Sequence, residues 1–145
     1  MSRAQLKKSG TALKKQCMAK NDVTEGKVEE EIHIFVPMTV LTYVYLLIAD
    51  KVGKIEQGKF IEEKEVMCYI ACIYQMTQVV KNNKLSYDAS IKQVNLMYPA
   101  ELKESAKAAI EHCKDVSKKY KDLCEASYWT AKCMYDFNPT DFVFA

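Results

Sequence analysis

The stretch CYIAC at residues 68–72 decides the fold. It lies within nine residues, 66–74, that carry no formal charge, and on a helix they would be apolar almost all the way round. That pattern is typical of a helix buried on several sides. Cysteines four positions apart stack on one helical face, so each is expected to reach a separate partner elsewhere in the chain. The stretch therefore predicts a central helix that anchors a cross-linked fold.

Length, charge and cysteine count narrow the class of protein. The chain has 145 residues, six cysteines and a formal net charge of +2, with only four glycines and three prolines. These values suit one mostly helical domain with a real core and do not suggest a nucleic-acid partner. Six cysteines are typical of a disulfide framework in an oxidising compartment, and they allow fifteen pairings. No apolar signal segment follows Met1, so we expect a mature secreted chain with an added start methionine.

Hydrophobic spacing predicts helices over most of the chain. Ser86 is expected to cap one of them, and Pro99 to stand in the first turn of the next. The apolar tail at 136–145 is expected to fold back onto the body. The expected helices run from 3 to 20, from 24 to 30, from 62 or 63 to about 81, from 87 to about 97, from 99 to 120, and from 122 to about 135.

Residues 31–54 depart from this pattern. Residues 32–49 are nearly uninterrupted apolar sequence, rich in β-branched and aromatic side chains. They approach the roughly 20 residues that span a bilayer. His33, Pro37 and several hydroxyl side chains argue against a clean span. We therefore expect either an additional buried helix or strand pair, or an insertion that packs on a neighbouring chain, and a membrane partner is disfavoured.

The sequence carries no motif for catalysis, metal binding or a cofactor. The close pair Cys68 and Cys72 lies in a helix, whereas structural zinc usually takes paired knuckles in loops. A cysteine nucleophile needs a base, and His112 would point away from Cys113 on a helix. We expect no enzymatic activity and no cofactor. Seven Met, nine Tyr, five Phe and one Trp fit either a methionine-rich core or a ligand cavity.

The cysteine spacing adds a resemblance to a known family. In chain order the gaps between the six cysteines are fifty, three, forty, ten and eight residues. From the second gap onward this order resembles the signature of insect odorant-binding proteins, the pheromone and general odorant-binding family. The stretches VMCYIAC, PAELKESAKAAIEHCKD and CEASYWTAKC look like the LUSH-type branch of flies and mosquitoes. The resemblance covers residues 3–30 and 55–145.

The first gap departs from the family, because fifty residues separate Cys17 from Cys68. Removing residues 31–54 leaves twenty-six, which is close to the spacing in the family. We therefore interpret 31–54 as an insertion into a single domain that covers 1–145. The alternative function is that of a helical interaction protein that uses 31–54 for membrane binding or self-association.

The resemblance implies an all-α fold, a compact bundle of about six helices around an apolar cavity. It also implies three interlocked disulfides that pair the first cysteine with the third, the second with the fifth and the fourth with the sixth. Each bridge would close a loop of roughly twenty to sixty residues and contribute about 3–4 kcal/mol on the chain-entropy account. The implied bridges are Cys17–Cys72, Cys68–Cys124 and Cys113–Cys133.

The implied function is that of a secreted carrier in olfaction, which binds and solubilises small apolar odorants or pheromone-like ligands under a lid at 136–145. An olfactory receptor and a second copy of the chain are the further partners that the resemblance suggests. In LUSH-type proteins a Ser and a Thr on the central helix bind small alcohols. Tyr74 and Val79 stand at the matching positions, so we expect a larger or more apolar ligand. Helix faces and the resemblance together give the expected ligand-binding residues: Leu13, Phe60, Met67, Ile70, Tyr74, Val79, Leu85, Ile91, Met97, Ala131, Met134, Phe142 and Phe144.

Overall fold

The computed structural model describes residues 2–20 and 51–144. The short helix expected at 24–30 and most of the expected insertion, residues 31–50, lie outside the described residues. The described α-helices are α1 (Arg3–Lys20), α2 (Lys64–Met76), α3 (Tyr87–Met97), α4 (Ala100–Cys113) and α5 (Leu123–Phe137). Residues 51–53 are also helical, and short 3-10 helices lie at Ile55–Gln57 and Ser117–Lys119. A hairpin of two short strands, β1 (Val80–Lys81) and β2 (Lys84–Leu85), joins α2 to α3.

Helix α2 is the centre of the bundle, as the sequence predicts. It packs chiefly against α5 and α1. Apolar side chains on several sides of α2 are removed from water on folding. Each Å² of apolar surface buried in this way contributes about 25 cal/mol to the stability of the fold. The all-α class is thereby confirmed, with the hairpin as a small addition. The buried residues of α2 are Val66, Tyr69, Ile70, Ala71, Cys72 and Ile73.

Helix α2 is shorter than predicted, because it ends at Met76 and not near residue 81. The hydroxyl of Thr77 donates a hydrogen bond back to a carbonyl of the last helical turn, that of Ile73, at 3.0 Å. Gln78 then adopts a left-handed φ of 65°, which a continuing α-helix does not allow. The β-branched residues that follow favour extended backbone.

The residues directly after the predicted end of this helix form a hairpin turn. Asn82 and Asn83 have φ values of 53° and 62°. Two successive left-handed residues are what a tight two-residue hairpin needs, and asparagine tolerates that conformation well. The register pairs Val80 with Leu85. The hairpin thus turns the chain back sharply between α2 and α3.

Polar side chains cap the N-termini of two helices, α3 and α5. The Ser86 hydroxyl accepts a hydrogen bond from the backbone N–H of Ala89 at 3.2 Å, so the predicted cap of α3 is confirmed. The Asp122 carboxylate accepts from the backbone N–H of Glu125 at 3.1 Å and caps α5. Such caps satisfy backbone donors that have no partner within the helix. Helix α2 lacks a side-chain cap and begins at Lys64, slightly later than predicted.

Helix α4 also ends earlier than predicted. The apolar stripe suggested one helix up to Tyr120, but α4 ends at Cys113, and the chain turns before the 3-10 helix at Ser117–Lys119. Residues 115–117 are Asp, Val and Ser, which have lower helix propensity than the alanine-rich sequence before them. Pro99 occupies the N-cap position and not the first helical position.

Three disulfides link the helices, in the pairing that the resemblance implied. They join α1 to α2, α2 to α5 and α4 to α5 across sequence separations of 55, 56 and 20 residues. Each restricts the unfolded chain and stabilises the fold by about 3–4 kcal/mol. The two cysteines of α2 therefore reach different neighbours, as expected. The bridges are Cys17–Cys72, Cys68–Cys124 and Cys113–Cys133.

The C-terminal segment after α5 folds back onto the bundle. Phe142 and Phe144 are buried and stack on each other with ring centroids 6.4 Å apart. Phe142 also packs edge-on against Tyr135, at 5.5 Å between centroids. The Arg3 guanidinium donates a hydrogen bond to the carbonyl of Thr140 at 3.3 Å, which ties the segment to α1. The segment thus closes one side of the molecule.

Candidate functional site

A cavity of about 490 Å³ lies beside the C-terminal end of α2. Its walls come from α1, α2, the hairpin, α3, α4, α5 and the C-terminal segment. Cys113 borders the cavity, so its disulfide to α5 braces the wall directly. The apolar side chains of the wall are Leu6, Leu13, Ile73, Met76, Val79, Leu85, Val94, Met97, Ala106, Ala109, Ile110, Met134, Phe142, Val143 and Phe144.

Eight of the thirteen expected ligand-binding residues border this cavity. They come from six different parts of the chain, and the fold brings them together around one space. Their contact with a ligand stays a prediction. The eight are Leu13, Tyr74, Val79, Leu85, Met97, Met134, Phe142 and Phe144.

The other five expected residues do not border the cavity. Ile70 and Ala131 are fully buried in the core between α2 and α5. Met67 packs against the same core, and so does Phe60, which lies edge-on against Tyr128 at 5.8 Å between centroids. Met67 and Ile70 belong to α2, which is apolar on several sides, so apolarity does not tell which side of this helix faces the cavity. The five residues are Phe60, Met67, Ile70, Ile91 and Ala131.

Most polar wall residues were missed from the sequence, Tyr98 and Thr130 among them. Thr130 lies four residues before Met134 on α5, and residues at that spacing share a helical face. The predicted position of Met134 could therefore have indicated Thr130. Tyr98 follows the last residue of α3, where helical periodicity no longer applies, so the sequence held no signal for it.

The wall carries hydroxyl groups that lack an acceptor. The hydroxyl oxygens of Tyr74 and Thr130 are buried and have no hydrogen-bond partner within residues 2–20 and 51–144. Burial raises the pKa of the Tyr74 phenol, and the nearby Tyr98 raises it further. Burial likewise raises the pKa of Tyr98, with an added contribution from the charge of Glu56. Both phenols therefore stay protonated and able to donate a hydrogen bond.

A charged cluster stands at the edge of the cavity, where Tyr87 and Lys114 border it. The Tyr87 hydroxyl donates to one oxygen of Glu111 at 2.6 Å, and the Lys114 ammonium donates to the other at 2.6 Å. The hydrogen bonds from Lys114 and Tyr87 hold the pKa of Glu111 below its ordinary value. The cluster is exposed and links α3 to α4 across this edge.

The C-terminal segment covers the cavity beside Tyr74. Phe144 packs edge-on against the Tyr74 ring with centroids 6.0 Å apart. Only 4% of Phe144 is exposed, so its ring separates that part of the wall from solvent. A turn in which the backbone N–H of Asp141 donates to the side-chain carbonyl of Asn138 at 3.3 Å leads into the segment.

The described part of the chain shows no sign of a metal centre. All six cysteines are paired in disulfides. No group of three or more His, Cys, Asp or Glu side chains able to hold a metal ion occurs among the residues that the structure describes. No α-helix in that same part of the chain is long and apolar enough to cross a membrane.

Comparison with known proteins agrees with this architecture. A profile of the PBP/GOBP family, the pheromone-binding and general odorant-binding proteins, matches residues 47–136. The chain belongs to the PBP/GOBP family. General odorant-binding protein 72 of Anopheles gambiae is 36% identical over 98 residues, which are 67% of this chain and 80% of that protein. General odorant-binding protein 19a of Drosophila melanogaster is 32% identical over 82 residues, 55% of this chain and 56% of that protein.

Solved structures of odorant-binding proteins share the fold. Odorant Binding Protein 4 of the predator Chrysopa pallens superposes with a TM-score of 0.72 at 27% identity, covering 98% of this chain and 97% of that one. Odorant binding protein 5 of Apis mellifera gives a TM-score of 0.74 at 24% identity over 100% and 98% of the two chains. The PBP/GOBP helical bundle is therefore the fold of this chain.

Proposed function

We propose that this PBP/GOBP protein is a secreted carrier that reversibly binds small apolar molecules of the odorant or pheromone kind. The observation that carries the proposal is the largely apolar cavity of about 490 Å³ between helices that three disulfides hold in place. Small-molecule sites typically enclose about 300–1,000 Å³ behind mostly apolar walls. The names of the two curated relatives, both general odorant-binding proteins, support the same class of ligand.

Binding in such a cavity would come mainly from the hydrophobic effect. Each Å² of apolar ligand surface that leaves water contributes about 25 cal/mol, and the loss of translational and rotational freedom offsets part of this gain. We expect a dissociation constant on the order of a micromolar, about −8 kcal/mol, which allows both uptake and release. The disulfides matter here because they limit the collapse of the helices onto the empty space.

The C-terminal residues 136–145 would act as the lid of this carrier. Phe142 and Phe144 support the proposal, because both are buried and both border the cavity. A secreted, extracellular location is supported by the three disulfides, since such bridges persist in oxidising compartments. An olfactory receptor and a second copy of the chain would be the further partners.

We also propose that residues 31–54 are an insertion within one domain. The support is the fifty-residue gap between Cys17 and Cys68. Residues 51–54 are attached to the rest of the bundle, because Val52 is buried and the Lys51 ammonium donates a hydrogen bond to a carboxylate oxygen of Glu63 at 2.9 Å. Any change designed in this stretch should therefore leave residues 51–54 in place.

A matched pair of tryptophan variants tests the carrier function. Ala106 borders the cavity, whereas Leu96 is 64% exposed on α3. We expect the wild type and Leu96→Trp to take up an apolar naphthylamine fluorophore with equal affinity. Ala106→Trp should bind it at least about tenfold more weakly, a loss of about 1.4 kcal/mol, because the indole occupies the space. The measurement is the rise in fluorescence on titration.

Circular dichroism of the two variants serves as the control for folding. Equal fluorophore affinity in Ala106→Trp and Leu96→Trp would contradict the cavity as the binding site. Absence of uptake by the wild type would contradict the carrier function itself.

A further inference from the structure

The buried hydroxyls of the cavity indicate what kind of ligand it takes, provided that the proposed carrier function holds. Tyr74 and Thr130 present buried hydroxyl oxygens without a partner among the residues described. Buried hydroxyls are nearly always hydrogen-bonded in folded proteins. The wall around them is mostly apolar, and no described residue accepts a hydrogen bond from either hydroxyl. A ligand in the cavity would supply an acceptor.

Two phenols, those of Tyr74 and Tyr98, belong to the wall of the cavity. Tyr98 adds to the raised pKa of Tyr74, although the two residues belong to different elements. Tyr74 is in the last turn of α2, and Tyr98 directly follows α3. Both border the same cavity. Thr130 borders it too, so the wall offers a ligand more than one hydroxyl group.

The charges around this end disfavour an anionic ligand. The negative charge of Glu56 contributes to the raised pKa of Tyr98, and the same charge would repel a carboxylate placed beside Tyr98. Among the described wall residues Lys114 is the one basic side chain, and it is bound to Glu111 at the edge of the cavity. Asp141 adds a further carboxyl group to the wall. An anionic head group would thus lose its hydration, while the cation of the described wall, Lys114, is already bound to Glu111.

A carbonyl oxygen fits these hydroxyls best. It has two lone pairs and brings no donor of its own, so it can accept from two hydroxyls and leaves nothing unmatched. A hydrocarbon offers no hydrogen-bond acceptor to the Tyr74 hydroxyl. We propose that the cavity selects neutral ligands with a carbonyl oxygen on an apolar chain, such as ketones and esters, and that Tyr74 donates to this oxygen.

Four probes of equal chain length test the proposal: decane, 2-decanone, 1-decanol and decanoate at pH 8. Each displaces the naphthylamine fluorophore from the wild type, from Tyr74→Phe, from Thr130→Val and from Tyr120→Phe. Tyr120 is the matched control, because it does not border the cavity and its ring stacks on that of Trp129 with centroids 6.3 Å apart. Thr130→Val keeps the side-chain shape and removes a second hydroxyl, so the test does not depend on one variant folding.

We expect the wild type and Tyr120→Phe to bind 2-decanone about tenfold more tightly than decane or decanoate, with 1-decanol in between. Tyr74→Phe should reduce this preference for the ketone at least about fivefold and leave decane unchanged. Thr130→Val should reduce it by a smaller factor. The proposed selectivity would be overturned if Tyr74→Phe lost affinity equally for decane and 2-decanone, or lost no affinity for 2-decanone. It would also be overturned if decanoate bound most tightly. Failure of the fluorophore to bind the wild type would instead overturn the carrier function.

Discussion

At the scale of single residues, Gly58 holds a position that other residues would strain. It lies between the 3-10 helix at Ile55–Gln57 and the approach to α2, with a left-handed φ of 91°. A Cβ atom added to it would lie 2.5 Å from ring atoms of Tyr135. The Tyr135 hydroxyl donates to the carbonyl of Gln57 at 3.1 Å, so the ring is held where the glycine leaves room. The glycine therefore lets α5 approach the backbone closely.

We expect Gly58→Ala to lower the free energy of unfolding by about 2 kcal/mol or more. A left-handed conformation costs a non-glycine residue about 1–2 kcal/mol, and the contact with Tyr135 adds to this cost. Gly53→Ala is the matched control, because Gly53 is helical and has no atom within 4 Å of an added Cβ. That variant should be neutral or more stable by up to about 1 kcal/mol. Urea unfolding curves measure both, and equal midpoints would contradict this account.

Some single residues of the cavity wall were predictable from helix faces together with the family resemblance. Tyr74 and Val79 were expected on the wall, and both border the cavity. Ile70 was expected there too, but it lies in the core, because a helix that is apolar on several sides offers no contrast between its faces. Tyr98 lies beyond the end of a helix, and its place on the wall depends on packing between distant parts of the chain.

At the scale of elements, the start of α5 is fixed by Asp122. Its carboxylate accepts from the backbone N–H of Glu125 at 3.1 Å and from the ammonium of Lys64. The hydrogen bond from Lys64 lowers the pKa of Asp122 below its ordinary value, and the backbone N–H of Glu125 lowers it further. Asp122 thereby caps one helix and links it to the first residue of α2. The disulfide Cys68–Cys124 lies close by, because Cys68 is one turn after Lys64 on α2 and Cys124 is the second residue of α5.

We expect Asp122→Ala to lower the free energy of unfolding by about 1 kcal/mol, the usual cost of a lost N-cap. Asp122→Asn keeps an oxygen for the cap and removes the charge, so it should lose less. Because the folded pKa is lowered, the charged form stabilises the protein above about pH 4, and this contribution disappears as the pH falls through the folded pKa.

Urea unfolding at pH 7 and at several values below pH 4 measures this dependence. The stability difference between the wild type and Asp122→Asn should shrink as the pH falls. A difference that stays constant or grows in acid would contradict the role of the charge.

The elements themselves were predicted better than their ends. The cap at Ser86 was found because a hydroxyl residue stands directly before a periodic segment, and that signal is local. The ends of α2 at Met76 and α4 at Cys113 were missed, because apolar residues continue beyond both. After α2 these apolar residues, Val79 and Leu85, face the cavity from the hairpin. Apolar residues in this stretch therefore indicate burial but do not indicate a helix.

At the scale of the whole molecule, the disulfides and the cavity belong to one arrangement. The pairing could not follow from the cysteine count, which allows fifteen combinations. The resemblance to the odorant-binding family supplied it, and the structure confirms it. Helical periodicity likewise could not predict a cavity of about 490 Å³, because a methionine-rich core and a cavity wall have the same composition. The three-dimensional packing separates Met97 and Met134, which border the cavity, from Met67, which packs against the core.

The same methionines provide the most direct measurement of the central claim, that the ligand binds in this cavity. Methyl-labelled methionine NMR during titration with 2-decanone reports on each of these side chains in one experiment. We expect saturable shifts of the Met97 and Met134 methyl signals over the range that displaces the fluorophore, with Met67 nearly unchanged. A shift confined to Met67, or no shift of Met97 and Met134 at saturating ketone, would contradict binding in the cavity.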